Sequence, residues 1–454
     1  MTNVKPQHAI VVGGSISGLM AARVLSDHFV RVTLLERDAF PELGEQRRGV
    51  PQGRHAHGLL AGGRQVMEEL FPGLTEEAVA AGGLRVDVVK DCYWFHQRGC
   101  LARPASELVG LCVSRPLLEG LIRQRVLALA NLARPEPVKV EGLLHRDGRV
   151  TGVRLENGGT LEADLVVDAT GRGSKSPEWL SAMGFGAPEA ERVEVGISYT
   201  TCYFERSAED LGGVLGVVIP AEVEDKRGGV MLAQEGNRWI VTLIRHFGPA
   251  APVEIDGFRE FAARLPASFI GDVIRRARPL GEPLVTKYPA SVRRRYENLS
   301  AFPEGFLVMG DAVCSFNPIY GQGMTVAALE ALELRKCLAD GLAGIGRRFF
   351  RAAAPVVDIP WAIAVGNDLK MPETTGQRTA AVRFINWYIA RFHRAAQRDP
   401  VLSVAFHLVG NLQAAPPSLL RPGLVWRVLR GNVGRGVAAK RPVRPGAFRV
   451  AGQS

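Results

Sequence analysis

Gly13-Gly14-Ser15-Ile16-Ser17-Gly18 narrows the choice of folds more than any other feature of the chain. Before it runs a β-branched stretch, His8 to Val12; after it come Leu19, Ala21, Ala22 and Leu25 at helical spacing, then a second apolar run, Arg31-Val-Thr-Leu-Leu35. Strand, tight turn, helix and strand within about 30 residues form the unit that opens a doubly wound parallel sheet. Gly13 permits the sharp turn, and Gly18 lets the helix sit close to the strand. The middle glycine of the G-x-G-x-x-G pattern is Ser15 here, so backbone approach to a diphosphate relies on a small residue. Glu36, with Arg37 beside it, ends the second strand 18 residues after Gly18, where a carboxylate accepts the hydroxyls of an adenosine ribose. Together these residues read as a dinucleotide site.

At 454 residues, 46% hydrophobic and 22% charged, the chain has material for two or three domains, which excludes a single small binding module and general disorder. Val138 to Asp168 reads as two hairpin-like strands, turning at Asn157-Gly158-Gly159, and a buried strand, Leu165-Val166-Val167. Residues 191–292 are strand-rich and form a second, antiparallel layer. Gly305 to Met309 returns as a buried parallel strand. From Gln322 the chain reads as helical, with breaks at Pro355, Pro360, Pro372 and Pro416-Pro417. The divisions are therefore 1–190 with 293–340, then 191–292, a helical region 341–420 and a basic tail 421–454.

The formal net charge is +10, and from Arg421 onward there are eight basic residues and no acidic ones. Such a tail is solvated, or contacts anionic lipid or a partner protein. Nucleic acid is not expected, because the basic residues lack interleaved aromatics. Six scattered cysteines without a C-x-x-C pair suggest neither zinc nor a disulfide framework, but free thiols in a reducing cytoplasm. No signal peptide is expected. The uncharged stretch Val401 to Leu420 holds His407, Asn411, Gln413, Pro416 and Pro417, so a buried helix and turn is expected rather than a membrane span.

Two later segments choose among dinucleotides. Asp168-Ala169-Thr170-Gly171-Arg172-Gly173-Ser174 follows one buried strand; Gly310-Asp311-Ala312 follows another and continues to Pro318-Ile319-Tyr320-Gly321-Gln322-Gly323-Met324. With these, the chain resembles the FAD-dependent monooxygenases of the para-hydroxybenzoate hydroxylase and squalene epoxidase superfamily. The loop Arg48 to His57 is most similar to the flavin epoxidases of bacterial polyether biosynthesis. The resemblance implies an α/β fold: a Rossmann-like FAD-binding domain of the glutathione-reductase type, interleaved with an antiparallel β-sheet substrate domain, plus a helical C-terminal region. It assigns Gly13, Gly14, Ser15, Ser17 and Gly18 to the pyrophosphate and Glu36 to the ribose. Arg115, in Ser114-Arg115-Pro116, resembles the arginine that reaches the phosphate and ribityl region. Gly310 and Asp311 resemble the segment that holds the ribityl chain or pyrophosphate, and Pro318 and Gly321 to Met324 the lining of the flavin ring.

The start of a helix at Gln322 suits that ring on physical grounds too: a reduced flavin is anionic, and a helix N-terminus offers free amides and about half a positive charge. Arg48 and Arg54, with His55 and His57, form either a loop near the flavin or a plain surface loop; no third metal ligand stands near the two histidines, so no metal is expected. Tyr199, Thr201 and Tyr203 alternate on one strand and either line a substrate cavity, together with Tyr320, or are ordinary sheet residues. The activity implied is transfer of one oxygen atom from O2 to a small apolar organic substrate in secondary metabolism. NADH or NADPH is the reductant, docking transiently or acting through a separate reductase. Pro318 and Gly323 would position the reacting groups through backbone atoms. No side chain stands out as a base for a phenol, which favours an olefin and epoxidation over hydroxylation. The alternatives are a geranylgeranyl-reductase-like enzyme and a flavin halogenase, although the W-x-W-x-I-P signature is absent. A cytoplasmic or peripheral membrane location follows from the composition.

Overall fold

A computed structural model describes residues 5–47, 49 and 51–433. Strand His8–Val12, helix Ile16–His28 and strand Arg31–Leu35 form the expected opening unit. Gly13 takes φ +105°, and a Cβ on Gly18 would lie 1.8 Å from the Gly13 carbonyl oxygen, so both positions need glycine. His8–Val12 sits at the centre of a five-stranded parallel sheet, between Arg31–Leu35 and Leu165–Asp168; Leu132–Ala133 and Phe306–Val308 are the edges. Ala9, Ile10, Val11, Leu165, Val166 and Val167 are fully buried, the continuous apolar run of strands packed on both faces.

The chain leaves this sheet after Leu165–Asp168 and returns at Phe306–Val308, so the second layer is an insertion. Its spine is Ala190–Glu205, paired antiparallel with Arg238–His246 on one side and Leu284–Arg294 on the other, in an eight-stranded sheet. That sheet reaches beyond the expected 191–292 boundary. It also takes in Cys92–His96, Gly99–Cys100 and Cys314–Ser315, and Cys92–His96 pairs in parallel with Gly216–Ile219. So short a strand with so remote a partner leaves no local pattern to read. Three hairpin strands stand where two were expected, Val140–Arg146, Arg149–Leu155 and Thr160–Glu162, because the chain turns at Asp147-Gly148 as well as at Asn157-Gly158-Gly159. All six cysteines are free thiols.

The C-terminal part is helical: Gly323–Ala339, Ile345–Asp368, Ala380–Ala396, Pro400–Gly410 and Pro422–Asn432. Two expectations need correction here. Pro355 and Pro360 lie inside the continuous helix Ile345–Asp368 and do not break it. Each costs roughly 3 kcal/mol, but Phe349, Phe350, Val357 and Trp361 of the same helix are buried in the main core, at roughly 1.5–3 kcal/mol apiece. Packing therefore wins. The first part of the supposed tail is also folded: Pro422–Asn432 packs Val428 against Ala380–Ala396. Of the expected tail, 434–454 lies outside the described residues. Among the described residues one helix, Ile345–Asp368, is long and apolar enough to cross a membrane by length and composition; 39% of its apolar window is buried inside the fold.

Candidate functional site

Both sheets and the C-terminal helices wall one cavity of about 1670 Å³. Sites for single small molecules typically measure about 300–1,000 Å³, so this one has room for a large cofactor and a second ligand.

At one end lies the opening turn. Ser15 stands at the N-cap position of helix Ile16–His28 without capping it; its hydroxyl donates to Glu119 Oε2 at 2.9 Å and accepts from Arg115 at 3.0 Å. Arg115 begins helix Arg115–Leu127, which Ser114 caps through the Leu117 amide, with Pro116 in the first turn. The local sequence thus delivers Arg115 to the glycine turn. Glu36 Oε2 accepts from the Gly14 amide at 2.8 Å and from Arg47 at 2.8 Å, while Oε1 accepts from the amides of Arg37 at 2.9 Å and Asp38 at 3.2 Å. Among these donors Arg47 alone is a side chain, so a ribose hydroxyl would compete with it rather than with the backbone.

Arg47 was not anticipated, and it takes the place expected of Arg54. Arg48 lies outside the described residues; Arg54 is exposed and absent from the cavity wall. Arg47 is buried, bonded to Glu36 and 3.7 Å from Glu119. The turn also holds an orphaned buried hydroxyl, Ser17 Oγ, close enough to Gly310 that a Cβ there would meet it at 2.6 Å. An orphan donor, a helix start and two arginines suit a diphosphate.

Further along the wall, Asp168 is fully buried and stays out of the cavity. Its carboxylate accepts from the Thr170 amide (2.9 Å), the Thr170 hydroxyl (2.6 Å), Ser174 (2.6 Å) and Ser176, which fixes the loop whose Ala169 to Gly173 line the cavity. Gly310, at φ +66°, donates its amide to Glu330 Oε2 at 2.8 Å. Burial pushes the Glu330 carboxyl up to about 8, opposed by that amide and by Arg293. Asp311 lines the cavity; burial raises its carboxyl, and Arg115 and Arg172 hold it down.

Next comes Pro318–Tyr320, a single tight turn capped by Asn317. Asn317 Oδ1 accepts from the Ile319 amide (3.1 Å) and the Tyr199 hydroxyl (2.7 Å), and its Nδ2 donates to Asp368 Oδ1 at 2.9 Å, where the Tyr320 hydroxyl also donates at 2.8 Å. Helix Gly323–Ala339 then begins in the cavity wall, which Pro318 to Met324 line without a gap. Gln322 Nε2 donates to the Gly410 carbonyl at 3.0 Å, tying this start to helix Pro400–Gly410.

Of the three alternating residues on Ala190–Glu205, Tyr199 lines the cavity and the other two do not. Thr201 is buried between His55 Nδ1 (2.8 Å) and Thr242 (2.7 Å), and Tyr203 packs under Arg238. At about 3.3 Å per residue Tyr203 lies about 13 Å along the strand from Tyr199. His55 and His57 both line the cavity, and burial lowers each to about 4.

A far chamber of the cavity brings together three histidines, of which His407 alone lies in a segment expected to be buried. His96, His393 and His407 come from strand Cys92–His96 and helices Ala380–Ala396 and Pro400–Gly410; all three line the cavity, and each has a buried Nε2 without a partner. The His96 and His393 rings lie 4.1 Å apart. His407 Nδ1 donates to the Ser403 carbonyl at 2.7 Å, which leaves Nε2 as an acceptor. Asp368 is also buried here, with Oδ2 unpartnered. Burial pushes its carboxyl up to about 7, against the Tyr320 and Asn317 hydrogen bonds and Lys370. Among the described residues no group of three or more His, Cys, Asp or Glu is arranged to hold a metal ion. The chamber offers one acceptor of fixed tautomer, His407 Nε2, and two further unpartnered imidazole nitrogens to a ligand.

Those histidines set a pH limit. Burial lowers His55, His57, His246 and His407 to about 4 and His96 to about 3, so their contribution is intact above the unfolded value near 6.5 and is lost as pH falls towards 4. Glu330 and Asp368 act oppositely, adding stability as pH falls through about 8 and about 7, but they are fewer. Thermal melts followed by circular dichroism should therefore lose Tm steeply below pH 6.5; a flat profile down to pH 4.5 would contradict this burial.

With the geometry in place, the chain compares with solved flavoprotein structures. It aligns with pqsL, a probable FAD-dependent monooxygenase from Pseudomonas aeruginosa, at TM-score 0.61 and 19% identity, covering 83% of this chain and 100% of that one. The flavin-dependent brominase Bmp2 aligns at TM-score 0.65 and 14% identity, covering 93% and 100%. The fold is therefore that of the flavin-dependent monooxygenases. Protein Rv3254 of Mycobacterium tuberculosis (strain ATCC 25618 / H37Rv) is 37% identical over 442 residues, covering 90% of this chain and 91% of that one, and the chain belongs to the same family. The FAD-dependent monooxygenase dpchE of Colletotrichum higginsianum (strain IMI 349063) is 31% identical over 198 residues, 41% of this chain and 38% of that one. No family model matches.

Proposed function

We propose that the protein is an FAD-dependent monooxygenase that uses NADH or NADPH and O2 to place one oxygen atom on an apolar organic substrate. One observation carries this reading: the glycine turn, the start of helix Gly323–Ala339 and the far chamber share a single cavity. The names of pqsL and dpchE support it. In this reading Gly13 to Gly18, Arg47 and Arg115 hold the diphosphate, and Glu36 with Arg37 holds the ribose. Asp311 faces the ribityl chain, and Pro318 to Met324 face the ring. Bound there, FAD would supply the redox chemistry, reduction by the nicotinamide and activation of O2.

The chain's own work is positioning and dryness. The Gly323 end of its helix directs amides and a partial positive charge at the ring edge. Val88, Trp94, Val218 and Leu232 wall the chamber with apolar surface, which keeps water from the reacting oxygen. His407 Nε2, its ring oriented by the Ser403 carbonyl, would accept a hydrogen bond from a substrate hydroxyl. That favours hydroxylation of a hydroxyl-bearing aromatic. Epoxidation of a polyether-type olefin needs no such acceptor and rests on the Arg48 to His57 loop, of which His55 and His57 line the cavity.

The test is product analysis by mass spectrometry, with NADPH, isotopic dioxygen and candidate phenols and polyenes. One labelled oxygen per product supports the proposal. Saturation without oxygen would mean a reductase, and a requirement for halide a halogenase.

A further inference from the structure

The helices at the outer end of the chamber carry an apolar and strongly basic surface. Ala380–Ala396 exposes Phe384 (52%), Ile385 (42%) and Trp387 (48%); Pro422–Asn432 exposes Trp426 (58%) and Leu429 (58%). A monomer in water rarely leaves bulky residues clustered like this without a use. Phe384 and Trp387 stack at 5.9 Å. The Arg391 guanidinium lies 3.9 Å from the Trp387 ring and that of Arg430 5.3 Å from the Trp426 ring, so each exposed tryptophan has a cation on its face.

Charge is segregated in the same direction: among the described residues, 378–433 hold eight basic residues and one acidic, Asp399. Asp399 is already engaged, 2.9 Å from Arg427 and capping helix Pro400–Gly410. The surface also surrounds an opening: Ile385 and Leu420 are exposed and line the cavity as well.

We propose that this face docks on an anionic phospholipid bilayer, with the opening beside Ile385 and Leu420 turned towards the lipid. Exposed tryptophans among arginines, with the one nearby carboxylate, Asp399, already paired to Arg427, suit the boundary between headgroups and acyl chains. Two copies of the face would meet with the same sign of charge, which opposes a symmetric dimer through it. That the opening admits a lipophilic substrate rests on the monooxygenase reading; the docking does not.

The experiment is co-sedimentation of the full-length protein with two kinds of vesicle, phosphatidylcholine alone and phosphatidylcholine mixed with phosphatidylglycerol. Binding to the anionic vesicles is expected to be at least about tenfold stronger and to weaken in high salt. Trp387→Asp with Trp426→Asp is expected to lower that binding at least about tenfold. It should also remove most of the tryptophan quenching by brominated lipid, at unchanged circular dichroism. Arg391→Glu with Arg430→Glu, which keeps every apolar residue, should abolish the preference for anionic vesicles. Equal binding to both vesicles, no binding, unchanged binding of either variant, or a dimer that buries these tryptophans without lipid would overturn the proposal. Because binding is read without turnover, its failure is distinct from failure of the monooxygenase assignment.

Discussion

Gly18→Ala is expected to purify without flavin and with a clearly lowered Tm. The added methyl would stand 1.8 Å from the Gly13 carbonyl oxygen, 2.9 Å from its carbon and 3.4 Å from Val11 Cγ1. The first two are backbone atoms and cannot rotate away. The turn cannot retreat either, because the Gly13 amide donates to the Leu35 carbonyl at 2.8 Å and the Ala169 amide to Val12 at 2.8 Å. Helix Ile16–His28 must therefore move off the strand, costing about 1–3 kcal/mol or more in overpacking and opening the diphosphate cradle. Gly423→Ala, where nothing lies within 4 Å of the added atom, is the control and should melt like the unaltered protein. Flavin absorbance per chain and a thermal melt read both effects; a yellow Gly18→Ala protein with an unchanged melt would contradict the close approach.

Glu36→Ala is expected to weaken FAD binding roughly 10–100-fold, equivalent to loss of a charge-assisted hydrogen bond worth about 1.5–3 kcal/mol. Through Oε1 the carboxylate accepts from the Arg37 and Asp38 amides; through Oε2 it holds the Gly14 amide in the turn and pairs with Arg47, which is buried beside the same cradle. Without it, Arg47 keeps only the Gly14 carbonyl at 3.3 Å and the more distant Glu119, and the Gly14 amide loses its acceptor. Glu36→Gln keeps an oxygen for the amide but not the charge, so its affinity should fall between the two. Titration calorimetry with FAD measures all three proteins, and equal affinities would contradict the dinucleotide assignment.

What could be read from the sequence was local. The opening turn, the Ser114-Arg115-Pro116 helix start and the Asn157-Gly158-Gly159 hairpin are each set by a few adjacent residues whose backbone preferences agree with the fold. The inserted sheet was legible as a layer, though not at its edge, since Cys92–His96 finds its neighbour only after the chain has folded. Strand alternation placed Tyr199, Thr201 and Tyr203 on one face, but alternation says nothing about how far along that face a cavity extends. Among the arginines of the loop, sequence could not separate Arg47 from the exposed Arg54, because the distinction is an ion pair with Glu36. His96 and His393 had no signal, and His407 only that of a stretch expected to be buried: their chemistry arises from burial together, which spacing does not encode. Helix-breaking prolines misled for the same reason, since core packing around Val357 and Trp361 offsets their cost.

The most direct measurement is the flavin content of the purified protein, before and after incubation with FAD. The account predicts a yellow protein that releases about one FAD per chain on denaturation. A colourless protein that takes up no FAD in titration would contradict it.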